Sequence, residues 1–121
     1  MAHFALLNDN NVVLQVIVVK NEVITDSFGT EREDLGKEFC SNLLGGNWVQ
    51  TSYNAKIRKH YATIGALYDP EVDAFSDGPQ PYPSWKLNKE TMKWDAPKPK
   101  PSTHHFIWDE ENLVWKTPEG N

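Results

Sequence analysis

Cysteine and histidine are the first residues to consider for chemistry, because a thiolate or an imidazole can act as a nucleophile, a base or a metal ligand. The chain has one cysteine, Cys40, and four histidines, two of them adjacent at His104 and His105. Adjacent residues of a strand point to opposite faces, and His3 and His60 are distant in sequence, so spacing supplies no metal-ligand set. Cys40 lies in an apolar helical pattern with no base beside it, which favours a buried structural thiol over a nucleophile. We therefore predict no catalytic residue, no metal site and no cofactor.

Clustered charges are the second candidate for chemistry. Acidic residues gather at 69–73 and at 109–111, but the glycine and the terminal glutamate of a calcium-binding EF-hand loop are absent, so turn capping explains them better. The basic residues Lys56, Arg58 and Lys59, with His60, could contact phosphate. A charged run of this kind is usually a solvated face, and the chain as a whole is acidic, so nucleic-acid binding is disfavoured.

Aromatic residues are the third candidate, and they concentrate in the second half of the chain. Amphipathic rings can form a stacking platform for sugars. They can equally serve as core or as a contact surface for a protein, because a segment with few leucines must bury its large rings somewhere. The candidate partner-contact residues are Tyr82, Trp85, Trp94, Trp108 and Trp115.

A repeat of about twenty residues, with the form apolar-[Asp/Asn]-x-Glu-x-x-x-aromatic, positions most of these rings. Its copies run over residues 68–75, 87–94 and 108–115, and a proline follows each copy at Pro79, Pro97 and Pro118. We interpret each copy as a tight β-hairpin, in which the Asp or Asn side chain accepts backbone amides of the turn and the two apolar ends face each other. The predicted turn-capping residues are Asp69, Glu71, Asn88, Glu90, Asp109 and Glu111.

The first half of the chain shows different patterns. Two β-rich runs at residues 3–7 and 12–19 enclose four turn formers and predict a hairpin. Thr30 and Glu33 fit a capping box, which predicts a helix over about residues 31–44 that ends at Gly45 and Gly46. Its predicted buried stripe is formed by Leu35, Phe39 and Leu43, with Cys40 and Leu44 beside it, and Gly36 marks a close approach to the sheet. Further strands are predicted over residues 48–53 and 56–63.

These elements define the fold class as α+β and mainly β. Residues 1–66 are predicted to form a compact unit with a small antiparallel sheet and one helix, and residues 67–121 three short hairpins joined by proline-rich spacers. The spacers at 78–83 and 97–101 favour polyproline II geometry and should act as semi-rigid struts. A lone hairpin is marginally stable in water, so the hairpins must pack on the first unit, on one another or on a partner.

Composition narrows the class of protein. The 121 residues carry a net charge of -5 and are 39% hydrophobic, which fits a globular protein rather than a nucleic-acid or anionic-membrane binder. The longest apolar run, residues 12–19, is too short to span a bilayer. Residues 1–5 lack the basic stretch of a secretion signal, and a single cysteine forms no internal disulfide, so we expect folding in a reducing cytoplasm.

The sequence resembles a family of small proteins encoded by marine tailed phages, above all cyanophages. The matching stretches cover nearly the whole chain and include residues 1–5, 11–19, 50–54, 83–85, and 108–111 with Trp115. The resemblance implies a non-enzymatic structural protein of the virion, assembled in the cytoplasm of the bacterial host. Its implied role is that of a capsid decoration, neck or tail accessory component that contacts other virion proteins and can self-associate. The alternative from the residues is a module that binds host-surface glycans through its tryptophans.

Overall fold

The computed structural model describes residues 1–101 and 105–117. Among these residues 33% lie in strands and 14% in helices, which confirms the predicted α+β, mainly β class. The chain divides into two compact units, Met1–Pro79 and Gln80–Asn121. The first unit therefore includes the first of the three hairpins, which the sequence assigned to the second segment.

A three-stranded antiparallel sheet organises the first unit. Strand β1 (Ala2–Leu7) lies in the centre, between β2 (Val13–Val19) and β3 (Asn47–Thr51). The predicted hairpin between β1 and β2 is confirmed: Asn8 Oδ1 accepts the amides of Asn10 at 2.8 Å and Val12 at 3.0 Å, and Asn11 adopts a left-handed φ of 62°. A side chain that accepts amides two and four residues ahead fixes the loop, and with it the register of the strands.

Both faces of this sheet are covered. On one face lie a four-residue helix α1 (Asn21–Ile24) and α2 (Glu33–Leu44), and the buried side chains there include Phe4, Ile24 and Trp48. On the other face the loop and hairpin after β3 supply Ala62, Ala66 and Phe75 to a core with Ala5 and Leu7. Burial on both faces explains the nearly continuous apolar sequence of β1, whereas in β2 only Val13 and Val19 are buried.

Helix α2 differs from the prediction at its start. It begins at Glu33 with Arg32 in the N-cap position and no side-chain cap, so the predicted capping box of Thr30 and Glu33 is wrong. The amide of Thr30 donates instead to Asp26 Oδ1 at 3.0 Å, and Glu33 Oε2 accepts the amide of Gln50 in β3 at 2.9 Å. A tertiary partner for the carboxylate thus replaces the local cap. The helix ends as predicted at a glycine with positive φ, Gly45, whose amide donates to the carbonyl of Ser41 at 2.8 Å.

The predicted buried stripe of α2 is confirmed for Cys40 and wrong for Phe39, Leu43 and Leu44, which are exposed. Gly36 and Cys40 face the sheet and are buried, whereas Leu43 is 62% and Leu44 53% exposed. A Cβ added at Gly36 would lie only 2.0 Å from Cζ of Phe4. This glycine lets the helix backbone approach β1 closely. Leu43 and Leu44 follow Cys40 by three and four residues and project from the same side of the helix, but they lie in its last turn and remain exposed.

The strand predicted over residues 56–63 is absent, and this part of the chain is a loop. Arg58 and Lys59 have left-handed φ angles of 55° and 65°, which break the extended conformation. The predicted solvated basic face is therefore wrong for Arg58, whose side chain is only 16% exposed.

The three predicted hairpins are confirmed with their predicted ends opposite each other. They are formed by β4 (Tyr68–Asp69) with β5 (Ala74–Phe75), β6 (Lys86–Asn88) with β7 (Lys93–Asp95), and β8 (Ile107–Asp109) with β9 (Val114–Lys116). The facing pairs are Tyr68 with Phe75, Leu87 with Trp94, and Trp108 with Trp115. The fourth turn residue is left-handed in every copy, at Asp73, Met92 and Leu113. Of the prolines predicted to follow the copies, Pro118 lies outside the described residues.

Candidate functional site

The second unit is built around a cluster of tryptophans that the hairpin register brings together. Trp108 and Trp115 face each other across β8 and β9, and their ring centroids are 5.2 Å apart at an interplanar angle of 69°. Trp85, which precedes β6, packs edge-on against both at 5.9 Å. Tyr82 stands 5.5 Å from Trp85. Edge-to-face contacts of this kind stabilise aromatic clusters beyond the area that they bury.

One carboxylate in the turn of the third hairpin anchors the cluster. Glu110 Oε1 accepts the indole N–H of Trp108 at 2.8 Å and the hydroxyl of Ser84 at 2.6 Å, and Oε2 accepts the Ser84 amide at 3.1 Å. The hydrogen bonds from Ser84, and then that from Trp108, hold the pKa of Glu110 below its usual range. Glu110 therefore fixes the third hairpin to the segment that carries Trp85.

The second proline-rich spacer packs onto this cluster. The indole N–H of Trp115 donates to the carbonyl of Lys98 at 2.8 Å, and the Lys100 ammonium lies 5.9 Å from the centre of the Trp115 ring. This spacer is therefore not a free-standing strut, because its backbone carbonyl accepts the N–H of a half-buried indole of its own unit.

The spacer and the tryptophans enclose a cleft of about 440 Å³. Its walls are formed by Trp85, Trp94, Asp95, Ala96, Lys98, Pro99, Lys100 and Trp115. Indole faces offer broad apolar surfaces, while the two ammonium groups and the Asp95 carboxylate supply polar contacts at the side. Such an arrangement can stack a sugar ring or receive the side chains of a protein.

The candidate partner-contact residues thus have different surroundings. Trp85, Trp94 and Trp115 line the cleft, whereas Trp108 is buried and serves as the centre of the cluster. Tyr82 packs on Trp85 but does not line the cleft. The indole nitrogen of Trp85 is buried and finds no acceptor within the described part of the chain. An unsatisfied buried donor costs about 1–3 kcal/mol, so a hydrogen-bond acceptor placed next to this N–H would be stabilising.

The predicted turn caps are confirmed for the first residue of each pair. Asp69 Oδ1 accepts the amide of Glu71 at 2.9 Å, and Asn88 Oδ1 accepts that of Glu90 at 2.9 Å. Asp109 Oδ1 accepts the amide of Asn112 at 3.2 Å, and the hydrogen bonds from Asn112, with a smaller effect of the Glu111 amide, lower the pKa of Asp109. The glutamates of the repeat therefore contribute to the caps through their backbone.

The first unit contains a charge network that the sequence did not reveal. The guanidinium of Arg58 donates to Asp73 at 2.7 Å, to Glu33 at 2.9 Å and to the carbonyl of Gln50 at 2.9 Å. Burial disfavours the charge of Arg58, but the bonds to Asp73 and Glu33 outweigh it and raise the pKa of Arg58. Hydrogen bonds from the Tyr68 hydroxyl and from Arg58 lower the pKa of Asp73. Partners 25 and 15 residues apart leave no local signal in the sequence.

The remaining candidates for chemistry are Cys40, the histidines and a second cleft. Cys40 is buried, and burial raises the pKa of its thiol, which disfavours the reactive thiolate. His105 is described but His104 is not, and no group of three or more potential metal ligands occurs within residues 1–101 and 105–117. A second cleft of about 520 Å³, lined in part by His3 and Tyr53, lies at the end of the first sheet.

No protein-family model matches the chain, and comparison with curated proteins and with solved structures gives no significant match. No helix in the described ranges has the length and apolar character needed to cross a membrane.

Proposed function

We propose that this chain is a non-enzymatic structural component of a phage virion that acts through protein–protein contacts. Its partners are other virion proteins of the capsid, neck or tail, and it joins them during assembly in the cytoplasm of the bacterial host. The sequence resemblance to small phage proteins supports the class of protein. The exposed apolar side chains Phe39, Leu43 and Leu44 of α2 support the mode of action.

The exposed apolar side chains at the C-terminal end of α2 are the observation that carries the proposal. Leu43 and Leu44 are more than half exposed, Phe39 is exposed beside them, and Val23 of α1 adjoins a shallow groove that Phe39 lines. A group of large exposed apolar side chains within the last two turns of one helix is typical of a surface that a partner protein covers. Neither core cluster of the first unit includes Phe39, Leu43 or Leu44, so these exposed side chains are not needed for the core.

Mass spectrometry of purified particles tests the proposal. We expect the chain at a fixed copy number relative to the major capsid protein, and its absence from mature particles would contradict the proposal.

Incorporation of variants tests the surface. Leu43→Asp should reduce incorporation into particles because it places a charge in the apolar contact. Ser41→Asp adds the same charge to the same helix at an exposed polar position and serves as the matched control. Equal incorporation of both variants would show that α2 is not the contact surface.

The cleft of the second unit supports one alternative, a module that binds host-surface glycans. Three indoles and two ammonium groups around one cleft are suited to stacking and hydrogen bonding with a sugar. A glycan array followed by titration calorimetry tests it. Binding should be lost in Trp94→Ala and retained in Tyr82→Ala, because Tyr82 is an aromatic residue outside the cleft. Absence of binding to any glycan would exclude this alternative.

A further inference from the structure

The two edge strands of the first sheet, β2 and β3, differ in how many of their outward backbone groups are hydrogen bonded. Along β3 the outward backbone groups of Gln50 are both occupied, since its amide donates to Glu33 and its carbonyl accepts from Arg58. Along β2 the outer edge is occupied only at its start, where the Val13 amide donates to the Ala66 carbonyl at 2.9 Å and the Val13 carbonyl accepts the Gly65 amide at 2.8 Å. The rest of β2 is an open edge within the described residues.

The register shows which backbone groups lie on this open edge. Because both groups of Gln50 point away from β1, its partner Phe4 directs its own groups to Ile17 of β2. Residues alternate along a strand, so the amides and carbonyls of Val16 and Val18 point outward. No described residue forms a hydrogen bond to them beyond the sheet.

The open edge also lacks the features that usually prevent pairing. Strand β2 has the sequence VLQVIVV, without a charge or a proline, and its side chains Leu14 and Val18 are 49% and 54% exposed. Natural edge strands are normally protected by lysine, proline or inward charges. An uncharged edge produces no electrostatic repulsion when it meets an identical edge.

We propose that two copies of this chain pair through β2, antiparallel and about a twofold axis, to form one continuous six-stranded sheet. The outward groups left open belong to Val16 and Val18, so the axis passes beside Ile17, midway between them. Val16 then faces Val18 of the partner subunit, and Val18 faces Val16 of the partner subunit. Each facing pair exchanges two hydrogen bonds, which satisfies every outward group of these two residues.

The ends of the open edge agree with this register. Val13, where Gly65 and Ala66 close the edge, falls opposite residue 21 of the partner subunit, and there β2 has already given way to α1. The exposed Val18 side chain is buried against Val16 of the partner subunit. A closed twofold contact uses the same patch on both subunits, so it forms a dimer rather than a fibre.

Amide hydrogen exchange on the unmodified chain provides the first test. At high protein concentration the amides of Val16 and Val18 should be protected several-fold more than after dilution. The Ile17 amide, which bonds within the sheet, should be protected at both concentrations. Fast exchange of Val16 and Val18 at every concentration would refute the proposal.

Sedimentation equilibrium on two variants at one position provides the second test. The chain should sediment at twice its mass of 13.8 kDa. Val18→Pro should sediment at once that mass, because proline removes an amide that faces outward and leaves the bonds to β1 intact. Val18→Thr keeps the amide and a similar shape, and should remain dimeric. A monomeric wild-type chain, or a dimer that persists in folded Val18→Pro, would refute the proposal.

The inference stands apart from the proposed virion role. It is tested on the purified chain without other phage proteins, so its failure would leave the particle experiments unaffected.

Discussion

Replacing Gly36 with alanine tests the closest contact in the first unit. Gly36 has helical geometry, so alanine at this site introduces no backbone strain, and an exposed helix position would gain about 1 kcal/mol from the same change. The structure predicts the opposite sign. The new Cβ would lie 2.0 Å from Cζ, 2.5 Å from Cε1 and 2.8 Å from Cε2 of Phe4, which is fully buried in the central strand.

The magnitude follows from these distances. Ordinary contacts between carbon atoms lie near 3.5 Å, so the ring or the helix must move by about 1.5 Å. Overpacking of a filled core costs about 1–3 kcal/mol, and three ring atoms are in conflict at once. A conflict of this size belongs at the upper end of that range, about 3 kcal/mol. After a gain of about 1 kcal/mol in helix propensity we expect the free energy of unfolding to fall by about 2 kcal/mol, which lowers the melting temperature by roughly 10 °C.

Urea denaturation of a double-mutant cycle measures this effect. Phe4→Leu removes the ring and should lose stability alone, but in combination with Gly36→Ala the losses should be less than additive by about 1 kcal/mol. Ser41→Ala, at an exposed position of the same helix, serves as the control and should be neutral or slightly stabilising. A rise in stability for Gly36→Ala, equal to that of an exposed site, would refute the packing of α2 on β1.

Three further predictions concern the charge network, the aromatic cluster and the repeat. Arg58→Met should lower the free energy of unfolding, measured by urea denaturation, by about 2–4 kcal/mol. The reason is that it leaves the Glu33 carboxylate and the Gln50 carbonyl without their shared donor. An unchanged denaturation midpoint would contradict this prediction. The pKa of Glu110 is lower in the folded than in the unfolded chain, so its stabilisation is complete above the unfolded pKa and is lost as pH falls through the folded one. Acid titration followed by tryptophan fluorescence should show this loss, and Glu110→Gln should reduce the pH dependence; an identical acid transition in the variant would contradict the role of Glu110. Leu113→Gly should stabilise the second unit by about 0.5–1 kcal/mol, because Leu113 is exposed and has a left-handed φ of 54°, and a lower thermal midpoint would contradict this.

The hairpins could be predicted because their geometry is encoded within eight residues. Asp69, Asn88 and Asp109 each accept amides two or three residues ahead, and this local bond sets the turn and hence the facing pairs. The cleft in the second unit could be predicted only in part. The repeat spacing placed the tryptophans on hairpins, but the hydrogen bond from Trp115 to the carbonyl of Lys98 depends on the path of the spacer.

The errors in the first unit share a physical cause. The pattern of Thr30 and Glu33 fits a local cap, and residues 56–63 fit a strand, because both interpretations use only neighbours in the sequence. In the folded chain the Glu33 carboxylate has two stronger partners, the Gln50 amide and the Arg58 guanidinium. Partially buried charge-assisted bonds outweigh a local cap, so tertiary contacts override the propensity.

The sequence by itself determined the elements whose free energy is local: the hairpin turns, the helix end at Gly45, and the strands of β1 and β2. Only the tertiary structure decided which face each element buries. Helix α2 turns Gly36 to the sheet because Phe4 occupies the space that a side chain would need, whereas Leu43 and Leu44 in its last turn remain exposed. It also decided which edge of the sheet remains open, because the segment after β3 satisfies the backbone only at Val13. Hydrophobicity determines how much free energy is gained when a side chain is buried, whereas close packing determines which side chains fit into the core.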